Sequence, residues 1–129
     1  MAHVLVDTDI LVDYLRGYDG AVRFVTDHVD DMVVSAVSVA ELYAGVRGDP
    51  EGAESLALAS FLDVVQVEPV TRQIARAGGL YRRDYGPSHG VGLADGVIAA
   101  TAVAVDAVLM TLNVRHYPMF DALEPAYRK

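Results

Sequence analysis

The sequence predicts an α/β protein built on a parallel sheet with helices over both faces. Three observations carry that prediction. Short apolar runs at Val4–Val6, Met32–Val34, Val64–Val67 and Ala107–Met110 have the length of buried strands. Longer segments with apolar residues at helical spacing separate them, and strands alternating with helices give a parallel sheet. Three of the runs stop at polar residues: Asp7-Thr8-Asp9, Ser35, and Thr111-Leu112-Asn113. In such a sheet, ligands bind in the crevice beyond the carboxyl ends of the strands.

The first run hands over at Asp7-Thr8-Asp9 to a helix over residues 8–15, where Ile10, Leu11 and Leu15 share a face and Gly17 ends it. A second short helix is expected over 20–28, then the strand Met32–Val34. From Ala36 to Arg47 the apolar positions Val39, Leu42, Tyr43 and Val46 follow i, i+3, i+4, i+7, with Gly48 as the stop. Pro50 suits the first turn of a helix over about 51–61. The third strand, 64–67, is closed by Pro69. Residues 71–84 read as helix although Gly78-Gly79 interrupts them. Gly86-Pro87-Ser88-His89-Gly90-Val91-Gly92 reads as a loop, and 93–105, nearly all small and apolar, as a buried helix. After the fourth strand come a loop with a helical turn over 114–120 and a short edge strand expected from Leu123.

At 129 residues the chain has the length of one domain, and with 53% hydrophobic residues it is globular. No repeat or linker divides it, so 1–129 is expected to be a single domain. The absence of cysteine excludes disulfides and thiolate zinc sites. The four histidines are far apart, so a metal would be held mostly by oxygen, which favours magnesium or manganese. Met1 leads straight into the first strand with no room for a signal peptide, and no apolar run is long enough to span a membrane. A soluble, cytoplasmic protein is expected. The net charge of −8 argues against a generic nucleic-acid binder with a basic face. It leaves room for an enzyme that grips phosphate through a metal and a few arginines, and nine of the ten basic residues are Arg.

Topology should bring several polar groups to one edge. Asp7 ends the first strand, Glu41 lies in the early turns of the helix after the second, and Asp95 opens the helix before the fourth. Thr111 and Asn113 follow that strand, and the Thr8 hydroxyl joins them at the first handover. Carboxylates crowded together repel unless a cation neutralises them, and an oxygen-lined divalent-metal site activates water for attack at phosphorus. Each residue also has a simpler role. Asp7, Thr8 or Asp9 could cap the following helix. Ser38-x-x-Glu41 matches a capping box, and Glu41 lies nearly opposite the apolar stripe of its helix. Asp95 shares a face with Ile98, Ala99 and Ala102, so it needs a cap or a cation. Asp13 shares a face with Asp9 but reads as a surface residue paired with Arg16.

VDTDILVDYL, SAVSVAELYAGV and GLADGVIAATAVAVDAVLMTLNVRHYPMF resemble, in order and spacing, the PIN-domain proteins, and more narrowly the VapC-type toxins of toxin–antitoxin pairs. The resemblance covers nearly the whole chain. It implies a three-layer α/β/α sandwich with a parallel sheet of four or five strands. It implies a magnesium- or manganese-dependent endoribonuclease, a homodimer, and a small cognate antitoxin that inserts into the active site. The family's first acid falls on Asp7, its glutamate on Glu41 and its later aspartate on Asp95. Its fourth acid falls at Asn113, which offers a carbonyl oxygen without charge, and its active-site hydroxyl at Thr111. Metal would thus rest on Asp7 and Asp95 with Glu41, and Arg115 is a candidate phosphate contact with the RNA substrate. The alternative is a PIN-like binding module acting through partner contact. Haloacid-dehalogenase phosphatases and receiver domains both need an interior basic group of a kind this chain lacks, since its one lysine is Lys129.

Overall fold

The computed structural model describes residues 3–129. The expected start of the chain directly in a strand, without a leader, concerns Met1 and Ala2 and lies outside the described residues. Four parallel strands form one sheet in the order β3-β2-β1-β4. They are β1 (His3–Val6), β2 (Met32–Ser35), β3 (Gln66–Glu68) and β4 (Ala107–Met110). The helices are α1 (Thr8–Leu15), α2 (Asp19–His28), α3 (Ala36–Ala44), α4 (Ala53–Leu62), α5 (Arg72–His89) and α6 (Leu93–Ala104). A 3₁₀ turn covers Val114–His116.

Successive side chains of a strand point to opposite faces, and β1 divides its residues between two cores in that way. Val4 and Val6 join Val34 of β2 in a core with Ile10 and Leu11 of α1, Val25 of α2, and Leu58 and Phe61 of α4. Leu5 points the other way and joins Val33, Leu109 and the α6 residues Ile98, Ala99 and Ala102. Behind α6, Ile74 of α5 packs on Val97 and Ala100. Helices therefore cover both faces, and the three-layer α/β/α sandwich is observed. Leu5, Ile10 and Leu11 are fully buried, each worth about 1.5–3 kcal/mol of burial.

Five expectations need correction. The third strand begins two residues later than its apolar run, because Val64 remains exposed and only the stretch from Gln66 pairs with β2. Leu123 packs against the α6-side core without pairing, so the sheet has four strands and no fifth among the described residues. Helix α3 stops at Ala44 with Gly45 as its C-cap, short of Arg47, and α4 runs from Ala53 to Leu62 rather than over about 51–61. Helix α5 continues through Gly86-Pro87-Ser88 to His89 and ends at Gly90, with φ +65°. Pro87 deprives only the Arg83 carbonyl of a helical partner. Both residues lie on the exposed face, where water can take that bond.

Gly78 and Gly96 set the distance between α5 and α6. A Cβ on Gly96 would lie 2.3 Å from the Gly78 carbonyl oxygen, and one on Gly78 would lie 2.7 Å from Val97 Cα. Gly78, the first of the two glycines that interrupt the helical pattern, is thus a point of backbone contact, and it fixes where the first turn of α6 stands.

Candidate active site

The chain runs from β1 to β2 to β3 in one direction across the sheet and returns to place β4 on the other side of β1. The crevice at that reversal, beyond the carboxyl ends of β1 and β4, is where an open parallel sheet binds ligands. Asp7 follows β1 there and Thr111 follows β4. Both are buried, at 4% and 0% exposure.

Asp7 Oδ1 accepts the Thr8 N–H at 2.7 Å, so the capping role is real. Its other oxygen faces the crevice, accepting from Thr111 Oγ1 at 2.7 Å and the Tyr117 hydroxyl at 2.9 Å. The same phenol lies 3.4 Å from Asp95 Oδ1, so Tyr117 stands between the two carboxylates. Asp95 Oδ2 accepts the Gly92 N–H at 3.1 Å, which closes the start of α6, and lies 3.7 Å from His116 Nδ1. Asp95 is a helix cap and a crevice carboxylate at once.

Burial pushes the Asp7 carboxyl up to about 7, with the Asp9 charge adding to it and the bonds from Thr111, Tyr117 and Thr8 opposing it. Asp9 is also raised by burial, against the hydrogen bond from the Leu112 N–H. That bond, 3.0 Å to Asp9 Oδ2, ties the first turn of α1 to the exit of β4. Burial and the charges of Asp7 and Asp95 push the Tyr117 phenol far upward, so it remains a proton donor.

Glu41 stands on the rim. It is exposed, and its Oε1 accepts from Thr8 Oγ1 at 2.7 Å, while the same hydroxyl is 2.8 Å from Ser38 Oγ. The capping-box reading fails, since Ser35 caps α3 through the Val37 N–H and Ser38 lies buried within the helix. The apolar stripe of α3 faces the protein, with Leu42 buried and Val39 and Val46 packed against the same core. Asn113 is exposed and contributes its backbone N–H, 3.0 Å from Thr111 Oγ1. Arg115 is exposed in the 3₁₀ turn.

The crevice therefore gathers Asp7, Asp95 and Thr111 as expected, puts Thr8 and Glu41 beside them, and leaves the Asn113 and Arg115 side chains outside. Sequence reading gave Tyr117 no role and weighed Asp9 only as a cap. Tyr117 left no signal in the local pattern, because its bond to Asp7 joins residues 110 positions apart.

Asp13 is no free surface residue. Its carboxylate accepts from the Tyr127 hydroxyl at 2.7 Å and from Lys129 Nζ at 2.9 Å. Burial alone would raise it, but these bonds hold it below its ordinary value. Tyr127 stacks on Tyr18, and the Ala126 N–H donates to the Thr111 carbonyl at 3.1 Å. The C-terminal strap thus clamps the backbone of the Thr111 segment to α1 and α2.

Among the described residues, no three His, Asp or Glu side chains stand close enough to form a ready metal cage. The donor set nonetheless suits a hard divalent cation, being all oxygen and negative in surplus. Asp7 is raised by burial and by Asp9, a condition that a neighbouring cation would reverse. Glu41 stands on the exposed rim beside them, where its Oε1 accepts from Thr8 Oγ1.

Replacing Tyr117 with phenylalanine should cost about 1.5–3 kcal/mol of stability at pH 8, the range for a hydrogen bond to a charged group. Urea denaturation measures it. An unchanged midpoint would mean that the phenol gives Asp7 nothing.

The PIN domain family model matches residues 4–119. Ribonuclease VapC19 of Mycobacterium tuberculosis is 43% identical over 127 residues, covering 95% of this chain and 98% of that protein. Ribonuclease VapC10 of the same organism is 42% identical over 127 residues, covering 96% of this chain and 92% of that protein. A solved toxin–antitoxin complex from Klebsiella pneumoniae superposes with TM-score 0.80 at 20% identity, covering 98% of this chain and 99% of that one.

Proposed function

The chain belongs to the PIN-domain family, and from this we propose that it is a metal-dependent endoribonuclease, the toxin of a toxin–antitoxin pair. The observation that carries the reading is the pair Asp7 and Asp95 held on either side of Tyr117 at the sheet's reversal point. The relatives' description as VapC ribonucleases supports RNA as the substrate.

In this reading Asp7 and Asp95 hold magnesium or manganese, with Glu41 joining directly or through water. The bound ion supplies charge neutralisation at the scissile phosphate and a more acidic water. Thr111 and Tyr117 orient Asp7 by donating to one of its oxygens, and such partners fix a ligand's direction and tune its basicity. Gly92 does the same for Asp95 through its backbone N–H. Thr8 keeps Glu41 at the rim. Arg115, exposed beside the crevice, is the candidate contact for the phosphate backbone.

An antitoxin partner is supported by the groove between α1, α3 and α4, which Val12, Leu15, Leu42, Val46 and Leu58 line and which reaches Glu41. A homodimer follows from the same family reading, and exposed Leu93, Val103 and Val108 offer apolar surface for it. No helix among the described residues is long and apolar enough to cross a membrane.

The test incubates purified protein with a mixed RNA pool, with and without magnesium or manganese, beside Asp95→Asn. The amide oxygen of that variant can still accept the Gly92 N–H, so it should fold. Cleavage should fall at least about a hundredfold, the upper end of the loss expected when a metal ligand's support fails. Loss of folding would make Asp95 a structural cap. A folded wild type that neither cleaves RNA nor binds metal by calorimetry would favour the partner-binding module.

A further inference from the structure

Helix α5 carries four of the chain's nine arginines, Arg72, Arg76, Arg82 and Arg83, against one aspartate. No other helix or strand holds more than one basic Lys or Arg, and the chain as a whole carries −8. The positive charge is therefore concentrated on one element of an acidic body. All four side chains are exposed. At 100° per residue, Arg72, Arg76 and Arg83 fall on one narrow stripe, opposite the face that buries Ile74 and Gly78. The stripe extends about 17 Å at 1.5 Å per residue. Arg83 pairs with Asp84, whereas Arg72, Arg76 and Arg82 form no ion pair among the described residues.

Only the C-terminal end of the stripe comes level with the crevice turn, where Arg83 lines the same hollow as Arg82, which lies about 100° round the helix from it. A Cβ on Gly96 would lie 3.5 Å from the backbone nitrogen of Arg82, so the arginine end of α5 stands abreast of the turn that holds Asp95. Beyond His89, a three-residue turn leads to Leu93, and the Gly92 N–H in it bonds Asp95. Arg82 also lines the hollow formed with Gly86, Gly90 and Gly92 at that turn.

We propose that the exposed arginines of α5 are the binding track for the RNA strand beyond the crevice, with Arg82 at the crevice end and Arg83, Arg76 and Arg72 leading away from it. The proposal rests on the ribonuclease reading and adds where the rest of the substrate lies. A polyanion approaching a body of net charge −8 is repelled except over such a surface. Guanidinium groups in a row, of which Arg72, Arg76 and Arg82 are unpaired among the described residues, make forked contacts with successive phosphates. They carry no sequence preference, so the track sets affinity and leaves the choice of bond to the crevice.

The test measures binding of a labelled 20-nucleotide single-stranded RNA in Asp95→Asn protein, which removes cleavage from the readout, over a range of potassium chloride. Each phosphate contact adds about 0.7 to the slope of log K against log salt for single strands. Adding Arg72→Gln, Arg76→Gln and Arg83→Gln should lower that slope by about 2. Arg16→Gln, Arg23→Gln and Arg128→Gln, which lie outside α5, should leave it unchanged. In active protein the α5 triple should raise KM for a long RNA about tenfold while the control triple does not.

An unchanged slope, or an equal drop in both triples, overturns the track. Unchanged RNA binding with altered sedimentation assigns the stripe to a protein contact and overturns it as well. Failure of the ribonuclease reading looks different: the active protein cuts no RNA, yet the α5 triple still lowers the slope.

Discussion

Asparagine in place of Asp7 is expected to abolish RNA cleavage and, in the same molecule, to make the metal-free protein more stable at pH 8. The Asp7 carboxyl is raised to about 7 by burial and by Asp9, against about 3.9 in an unfolded chain. The folded state therefore keeps a proton that the unfolded state has lost. This contribution to stability is fully present below about pH 4 and is lost as pH rises through about 7. Three pKa units correspond to about 4 kcal/mol. Asparagine removes the Asp7 part of the dependence, leaving that of buried Asp9, while preserving the contacts. Its carbonyl accepts the Thr8 N–H, its amide faces Thr111 and Tyr117, and those hydroxyls turn their protons toward Asp9 and Asp95.

Urea midpoints at pH 5 and pH 8 should therefore differ more for the wild type than for Asp7→Asn, in which only the Asp9 contribution remains. Manganese should raise the wild-type midpoint at pH 8 by mass action and leave the variant's where it was. Cleavage should fall about a thousandfold or more, equivalent to ~4 kcal/mol of barrier. A variant that is both inactive and less stable at pH 8 would show that Asp7 is chiefly a structural group. Retained cleavage would remove Asp7 from the chemistry.

The largest loss of stability is expected from Gly96→Ala. The new methyl would stand 2.3 Å from the Gly78 carbonyl oxygen, a backbone atom that moves only if α5 moves. Overpacking a core usually costs 1–3 kcal/mol, and an unyielding backbone contact places this change at about 3 kcal/mol or more. Gly79→Ala is the control, since a Cβ there meets nothing within 4 Å. It should be neutral or stabilising by up to about 1 kcal/mol, the helix preference of alanine over glycine. Similar midpoints for the two variants would mean that the close crossing of α5 and α6 is not maintained in solution. Gly96 also adjoins Asp95, so any Gly96→Ala protein that folds should cleave RNA poorly. A displacement of about 1 Å at such a site costs on the order of a hundredfold.

The layered architecture and the edge where Asp7, Asp95 and Thr111 gather were legible in the amino-acid pattern alone. Apolar runs alternate with helical periods, and a buried parallel strand tolerates little polarity, so the polar breaks at Asp7 and Thr111 mark the ends of β1 and β4. Local pattern was weaker wherever a long-range contact decided the outcome. Pro87 and the glycines read as interruptions of α5, but the helix continues because Gly78 packs on α6 and Pro87 faces solvent. Val64 had the composition of a strand, yet pairing with β2 selected the stretch from Gln66.

The same division holds in the crevice. The acids Asp7 and Asp95 were legible because topology brings strand ends and helix starts to one edge, whereas Glu41 was ambiguous on its helix and entered through the family resemblance. Their partners were not, since a hydrogen bond such as Tyr117 to Asp7 spans 110 residues and leaves no periodic trace. It took the assembled fold to place Tyr117 between two carboxylates and to turn Ser38 into a neighbour of Thr8 rather than a cap. The fold also made Asp13 the anchor of the C-terminal strap. Burial is a property of the assembled layers, so the raised carboxyl of Asp7 also belongs to the fold and not to the stretch of sequence that contains it.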